Sequence, residues 1–111
     1  MRLQRVVVMN LKILDHIKKL INNGYYDVKL HTRERMIERN IRIKDVKEAI
    51  EKGMIIEEYV DDKPLPSYLI YGKTSELRPI HVVVGVDEEV AAIITVYEPD
   101  KNKWIDFIKR R

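Results

Sequence analysis

Hydrophobic spacing changes abruptly at Gly53, and this change limits the fold more than any other feature. Before Gly53, apolar residues recur every three or four positions, as in amphipathic helices, and after it they alternate as in strands. Trp104, Phe107 and Ile108 are then spaced like one face of a short C-terminal helix or docked tail. The sequence therefore predicts one α+β domain over 1–111, with N-terminal helices packed on a roughly four-stranded antiparallel sheet.

Three helices are predicted before the sheet. The first begins at Asn10, a residue type that caps helices, and ends where Asn22-Asn23-Gly24 offers a left-handed turn. The second and third span about 31–39 and about 44–52. Asn40 is expected to end the second in a left-handed cap. Residues 2–9 stay open between a strand, a leading turn of the first helix and an arm.

The last predicted hairpin decides which side chains share a face. The four predicted strands span 54–60, 67–72, 79–86 and 90–97. If Asp87-Glu88-Glu89 is a three-residue loop, His81 lies opposite Thr95 and Tyr97 is its diagonal neighbour. The less apolar face then carries His81, Thr95 and Tyr97 together with Val83 and Ile93. The other face carries Ile80, Val82, Val84 and Val86 with Val90, Ala92, Ile94 and Val96.

Composition and charge narrow the class of protein. The chain has no cysteine, so disulfides and thiolate chemistry are excluded, and a reducing cytoplasm fits best. Apolar runs such as Val82 to Val86 are far shorter than the roughly 20 residues of a membrane span. Residues 1–52 carry 13 basic and 7 acidic side chains, an excess that attracts a phosphate backbone or an acidic protein. Abundant Lys, Glu and Ile with the single glutamine Gln4 also fit a thermophile.

The second helix carries a stripe of polar side chains. His31, Arg35, Glu38 and Arg39 follow at intervals that place them on one helix face. Such a stripe is often a solvated surface whose charges pair internally. The alternative is phosphate recognition, because guanidinium groups bind phosphate oxygens in pairs and an imidazole transfers protons near neutral pH.

The last hairpin carries the second candidate group. His81, Thr95 and Tyr97 are predicted to form a polar patch, and Glu98 follows directly at the strand exit. Thr95 and Glu98 are therefore candidate substrate-binding residues. A buried histidine that simply bonds a tyrosine would account for the same pattern. The sequence has no nucleotide-binding glycine loop, HExxH or calcium loop, and its three histidines lack a regular spacing, so we expect neither a metal nor a cofactor.

Blocks of sequence from the second helix onward match the pattern of a known family. They are Leu30 to Ile41, Asp45-Val46, Ala49-Ile50, Gly53, Glu58-Tyr59, Pro64 to Leu69, Gly72, Arg78 to Val83, Thr95 to Pro99 and Trp104. Together they resemble the domain-of-unknown-function family 4258 over about residues 28–104. Asn40 stands where that family usually has glycine, and asparagine can adopt the same left-handed cap.

The resemblance implies a place near the RelE/ParE-like toxin superfamily. Its members set helices against a small antiparallel sheet, and many cleave messenger RNA or inhibit a nucleic-acid enzyme. The family itself has no settled activity, and a fold does not establish one. The partners implied are RNA, on or off the ribosome, and a cognate antitoxin protein.

The leading hypothesis is a metal-independent endoribonuclease of toxin type. His81 by preference, or His31, would take the proton from the ribose 2′-hydroxyl, and Tyr97 or the other histidine would protonate the leaving oxygen. Arg35 and Arg39 would bind the phosphate and stabilise its charge. This requires all five groups to converge on one phosphate. The alternatives are a non-catalytic nucleic-acid or protein-binding module and a partner-dependent regulator.

Overall fold

The computed structural model describes the backbone of residues 2–111 and the side chains of residues 10–111. Its helices are α1 (Arg2–Asn22), α2 (Leu30–Glu38) and α3 (Ile43–Glu51). Its strands are β1 (Tyr26–Val28), β2 (Met54–Tyr59), β3 (Ser67–Lys73), β4 (Pro79–Val86), β5 (Ala91–Tyr97), β6 (Trp104–Ile105) and β7 (Lys109–Arg110). In this part of the chain, no helix combines the length and apolar character needed to cross a membrane.

The main sheet has five strands in the order β1-β5-β4-β3-β2. The α+β class is confirmed, but the antiparallel four-stranded sheet is corrected to a mixed one, because β1 pairs parallel with β5. Strand β1 has three residues and follows directly on the turn at Gly24, so it is too short to leave a periodic signal. Its pairing covers only the first half of β5, Ala91 to Ile93.

The predicted helix ends are confirmed by backbone geometry. Gly24 has a φ of 80° after α1, and Asn40 has a φ of 55° after α2. Both are left-handed conformations that glycine and asparagine adopt most readily. Helix α1 begins at Arg2, so the alternatives of a strand or an arm for residues 2–9 are excluded.

One face of the sheet forms the core with the helices. The buried core side chains include Ile17 and Ile21 of α1, Val46 and Ile50 of α3, Ile70, Ile80, Val82, Val84, Ile93 and Val96. Helix α3 approaches β3 so closely that a Cβ placed on Gly72 would lie 1.8 Å from the carbonyl oxygen of Ala49. Only glycine fits there, since this contact leaves no room for a side chain.

The register of the β4–β5 hairpin differs from the predicted one. His81 lies opposite Tyr97, and Thr95 lies opposite Val83. The loop extends to Val90, because the Asp87 carboxylate accepts hydrogen bonds from the backbone N–H groups of Glu89 and Val90, both at 2.8 Å. A bulge then shifts the pairing between Val83 and Val84.

The same bulge changes which side chains of β5 enter the core. Ile93 belongs to the core cluster, whereas the prediction placed it on the polar face. Ala92 and Ile94, predicted for the core face, are only partly buried and lie outside that cluster. An extra residue in one strand reverses the faces beyond it, since side chains alternate with period two. Thr95 and Tyr97 nevertheless stay on the face of His81, as predicted.

The C-terminal segment is a small antiparallel hairpin, β6–β7. Of the two predicted alternatives, the short helix is therefore wrong, whereas a docked tail agrees with the structure. Asp106 and Phe107 at its turn have φ values of 52° and 64°. The backbone N–H of Ile108 donates to the carbonyl oxygen of Ile105 at 3.0 Å, so these two residues form the centre of a tight turn. The hairpin docks on the sheet face opposite the helices, where Trp104 packs against His81.

Candidate functional site

Helix α2 lies along the edge of β5 that β1 leaves unpaired. The Thr32 hydroxyl donates to the carbonyl oxygen of Ile94 at 2.9 Å. The Arg39 Nη1 donates to the carbonyl oxygen of Val96 at 2.7 Å. Thr32 of α2 and Arg39, the residue directly after α2, thus satisfy edge carbonyls that β1 does not reach. These bonds hold the helix beside the strand.

A cleft of about 160 Å³ separates the two elements. It is lined by His31, Thr32 and Arg35 from α2, by Arg39 directly after α2, and by Ile94, Thr95 and Val96 from β5. His31, Arg35 and Arg39 are exposed, whereas Thr95 is partly buried. The predicted basic stripe of α2 therefore faces β5 rather than bulk solvent alone.

The cleft is electropositive. Within residues 10–111, neither Arg35 nor Arg39 has a carboxylate oxygen within 4.0 Å. Glu38, predicted on the same stripe, does not line the cleft. Two guanidinium groups without carboxylate partners attract an anion, and their forked N–H groups match phosphate oxygens.

His81 does not line the cleft and lies on the sheet face opposite the helices, under the β6–β7 hairpin. It is fully buried, with 0% of its surface exposed. Its Nε2 lies 2.6 Å from the carbonyl oxygen of Phe107, and its Nδ1 lies 3.2 Å from the Tyr97 hydroxyl. A carbonyl can only accept, so Nε2 carries the hydrogen and Nδ1 accepts from Tyr97. Burial lowers the pKa of His81, which favours this neutral form.

Aromatic side chains and an ion pair enclose this imidazole. The rings of Tyr71, Tyr97 and Trp104 meet it edge-on, with the Trp104 centroid at 4.6 Å. Arg110 of the hairpin stacks on Trp104 and bonds both Glu57 carboxylate oxygens, at 2.8 and 3.1 Å. These bonds lower the pKa of Glu57. The hairpin is thus anchored over His81.

The structure brings together some of the predicted site residues and not others. His31, Arg35, Arg39 and Thr95 line one cleft, whereas His81 and Tyr97 do not line it. Tyr97 directly follows the cleft residue Val96, but its hydroxyl bonds His81, and burial raises its pKa. The predicted convergence of five groups on one phosphate is therefore only partial.

Glu98 does not point into the cleft as a substrate ligand, since its carboxylate is paired with the Arg78 guanidinium. Arg78 also bonds the backbone carbonyls of Arg39 and Asn40. Sequence reasoning gave Arg78 no role. Its position just before Pro79, at the start of a strand, has no spacing relation to the helix that it contacts.

The chain is thus a small α+β domain with a basic cleft between a helix and the edge of a mixed sheet. No group of three or more His, Asp or Glu side chains in the described residues is arranged to hold a metal ion. The family described as Domain of unknown function (DUF4258) matches residues 28–98, more than half of the chain. The chain belongs to this family. A search of curated proteins and one of solved structures found no significant match.

The matched segment includes both walls of the cleft. It contains α2 and β5, and it ends at Glu98, before the β6–β7 hairpin. The element that covers His81 therefore lies outside the family match, whereas the basic cleft lies inside it.

Proposed function

We propose that the protein is a metal-independent endoribonuclease that cleaves RNA in the cleft between α2 and β5. The observation that carries this proposal is the placement of an exposed imidazole, His31, beside the guanidinium groups of Arg35 and Arg39 in one cleft. RNA supplies its own nucleophile, the ribose 2′-hydroxyl, so the protein needs only to bind the phosphate and move protons.

The reaction is an internal transfer. His31 accepts the proton of the 2′-hydroxyl while the 2′-oxygen attacks the adjacent phosphorus. The bond from phosphorus to the 5′-oxygen of the next nucleotide breaks, and this oxygen takes a proton from water in the open cleft. The products are a 2′,3′-cyclic phosphate and a 5′-hydroxyl. DNA lacks the 2′-hydroxyl and stays intact.

The arginines and Thr95 stabilise the phosphate as its charge grows. Arg39 uses Nη1 on the Val96 carbonyl, so its position is defined while its other N–H groups stay available. Arg35 lies one helical turn away on the same face. The Thr95 hydroxyl lines the same cleft and can donate a further hydrogen bond. Fixed donors of this kind stabilise a transition state more than mobile water does.

His81 and Tyr97 have no direct part in this mechanism. His81 is inaccessible, and both of its ring nitrogens are occupied. Tyr97 holds its proton more firmly than a free tyrosine does, because burial raises its pKa. We therefore give the proton-accepting role to His31 and a structural role to the His81–Tyr97 pair.

A non-catalytic RNA-binding module is the second candidate. It is favoured by one observation: among the side chains of residues 10–111 that line the cleft, His31 is the sole one that commonly transfers protons near neutral pH. A binder would hold phosphate through the same arginines, and its affinity would fall with salt without any product.

We also propose that the protein is related to RelE/ParE-like toxins and that it binds an antitoxin protein. Both proposals are supported by the sequence resemblance. The antitoxin is tested by co-expression with the neighbouring reading frame. Stable co-purification together with loss of cleavage is the expected result. Separate elution with cleavage unaffected would remove the toxin assignment.

The decisive experiment for the proposed function compares RNA with DNA of the same sequence. We expect cleavage of the RNA alone, with chelator present, and fragments ending in 2′,3′-cyclic phosphate. Binding without fragments, with affinity that decreases steeply with salt, would favour the second candidate. Cleavage of both polymers would rule out the 2′-hydroxyl mechanism.

A further inference from the structure

We propose that Arg78 is a positioning residue that fixes α2 relative to the end of β5, the two walls of the cleft. This inference rests on the proposed function for its consequence but on independent contacts for its geometry. Arg78 precedes β4 and does not itself line the cleft. Its guanidinium instead bonds the end of α2 and the residue after β5.

The first wall is held at the carboxyl end of α2. Nη1 of Arg78 donates to the carbonyl oxygen of Asn40 at 2.6 Å, and Nη2 donates to that of Arg39 at 2.9 Å. Arg39 caps the carboxyl end of α2. Carbonyl groups at such an end lack partners within the helix and carry partial negative charge, so a cation is favourable there. The bond to Arg39 fixes the backbone of the residue whose side chain spans the cleft to Val96.

The second wall is held through Glu98. The Arg78 Nε donates to the Glu98 carboxylate, which directly follows the last residue of β5. A third element joins the arrangement, because the Asp45 carboxylate of α3 lies 4.0 Å from the same guanidinium. One partly buried side chain therefore links α2, α3 and the end of β5.

The chemistry of this link requires arginine. Three different N–H directions reach three acceptors, and a guanidinium provides them in one rigid plane. A lysine keeps the charge but offers a single nitrogen, so it cannot serve both carbonyls and the carboxylate with the same geometry. Arg78→Lys therefore removes the positioning while it preserves the charge.

Arg42→Lys is the matched control. Arg42 also pairs with Asp45, at 3.5 Å, but it is largely exposed and has no bond to the carbonyls that end α2. Both substitutions exchange an arginine near the same carboxylate. We expect only Arg78→Lys to loosen α2 from the end of β5, because only Arg78 bonds both.

The test measures hydrogen exchange and RNA cleavage in the full-length protein and both variants. In Arg78→Lys we expect the amides of Arg39, Asn40 and Ile41 to exchange about tenfold faster, while the amides of β3 and β4 keep their protection. We expect kcat for RNA to fall about tenfold, with KM changed less than about twofold, because a small displacement of Arg39 affects the transition state most. Arg42→Lys should match the wild type in every measurement.

Two results would overturn the assignment. One is wild-type exchange at the end of α2 in Arg78→Lys, which would mean that the bonds do not hold it. The other is faster exchange spread over the whole domain, which would make Arg78 a general stabilising residue. If the wild type cleaves no RNA, the proposed function fails, and the exchange of the Arg39, Asn40 and Ile41 amides still decides whether Arg78 holds the end of α2.

Discussion

His31 and His81 occupy two regions that differ in what covers them. His31 lies at an open cleft beside two arginines, whereas His81 lies beneath a hairpin and has no exposed surface. The same residue type is available for chemistry in one place and serves as a hydrogen-bonding core residue in the other. The element that decides this is the β6–β7 hairpin, through Trp104, Phe107 and Arg110.

The comparison separates function from stability. Removing His31 should affect reaction rates and leave the fold intact, because its side chain is exposed. Removing His81 should do the reverse, since it leaves buried groups without partners. The two histidines therefore make a pair of opposite controls for each other.

The largest expected effect follows His31→Ala. Loss of a general base lowers rates by about 10²- to 10⁴-fold, so we expect RNA cleavage to fall at least about 100-fold. The melting temperature should change by less than about 3 °C, as for a surface substitution. His16→Ala, in which a histidine of α1 outside the cleft is removed, should keep full activity. Equal cleavage rates for His31→Ala and His16→Ala would show that His31 is not the proton acceptor.

The next effect is on stability, and it follows His81→Ala. The substitution removes a buried ring and leaves the Phe107 carbonyl and the Tyr97 hydroxyl unpaired. We expect a loss of about 2–4 kcal/mol in the free energy of unfolding, measured with urea. The folded fraction should cleave RNA at close to the wild-type rate. A stable variant with abolished cleavage would mean that the hairpin opens and that His81 reacts.

A smaller effect on binding is expected for Arg35→Ala. One phosphate contact fewer should lower the slope of log affinity against log salt by about one, uniformly across RNA sequences. Arg33→Ala is the matched control, because Arg33 lies on α2 but does not line the cleft and bonds the Val28 carbonyl instead. Filter binding at several salt concentrations measures both variants. An unchanged slope in Arg35→Ala would place the RNA outside this cleft.

Most of the fold was predictable because its signals are local. The helix ends at Gly24 and Asn40 and the strand β4 follow from residue type and spacing, and the structure has them where predicted. The basic face of α2 follows from the helical period alone. Such features need no knowledge of what packs on them.

The parts that failed depend on contacts between distant residues. The Asp87 side chain lengthens one loop and a bulge shifts the strand beyond it, so the partner of His81 moves from Thr95 to Tyr97. Strand β1 forms by pairing with β5, which is far away in the sequence. The contacts of Arg78 are made with the end of α2, about 40 residues earlier in the chain. Nothing in the spacing of His81 indicates that a C-terminal hairpin will cover it.

The smallest expected effect is a pH dependence of stability that arises from His81. Burial holds its pKa below the ordinary value of 6.5, whereas in the unfolded chain it returns to that value. Below about pH 6.5 the unfolded state therefore binds more protons than the folded state does. The free energy of unfolding is highest above that pH and decreases as the pH falls, by at most about 1.4 kcal/mol per pH unit. Glu57 and Arg110, which face the imidazole, act in opposite directions on it.

Urea unfolding between pH 7.5 and 5.5, followed by the fluorescence of the single tryptophan, Trp104, measures this decline directly, because Trp104 packs on the imidazole. His81→Phe keeps an aromatic ring of similar size and cannot titrate, so its stability should stay flat over this range. His31→Ala should keep the decline. If the free energy of unfolding falls equally with pH in the wild type and in His81→Phe, the titrating group is not His81. Burial of His81 beneath the hairpin would then not explain the pH dependence of stability.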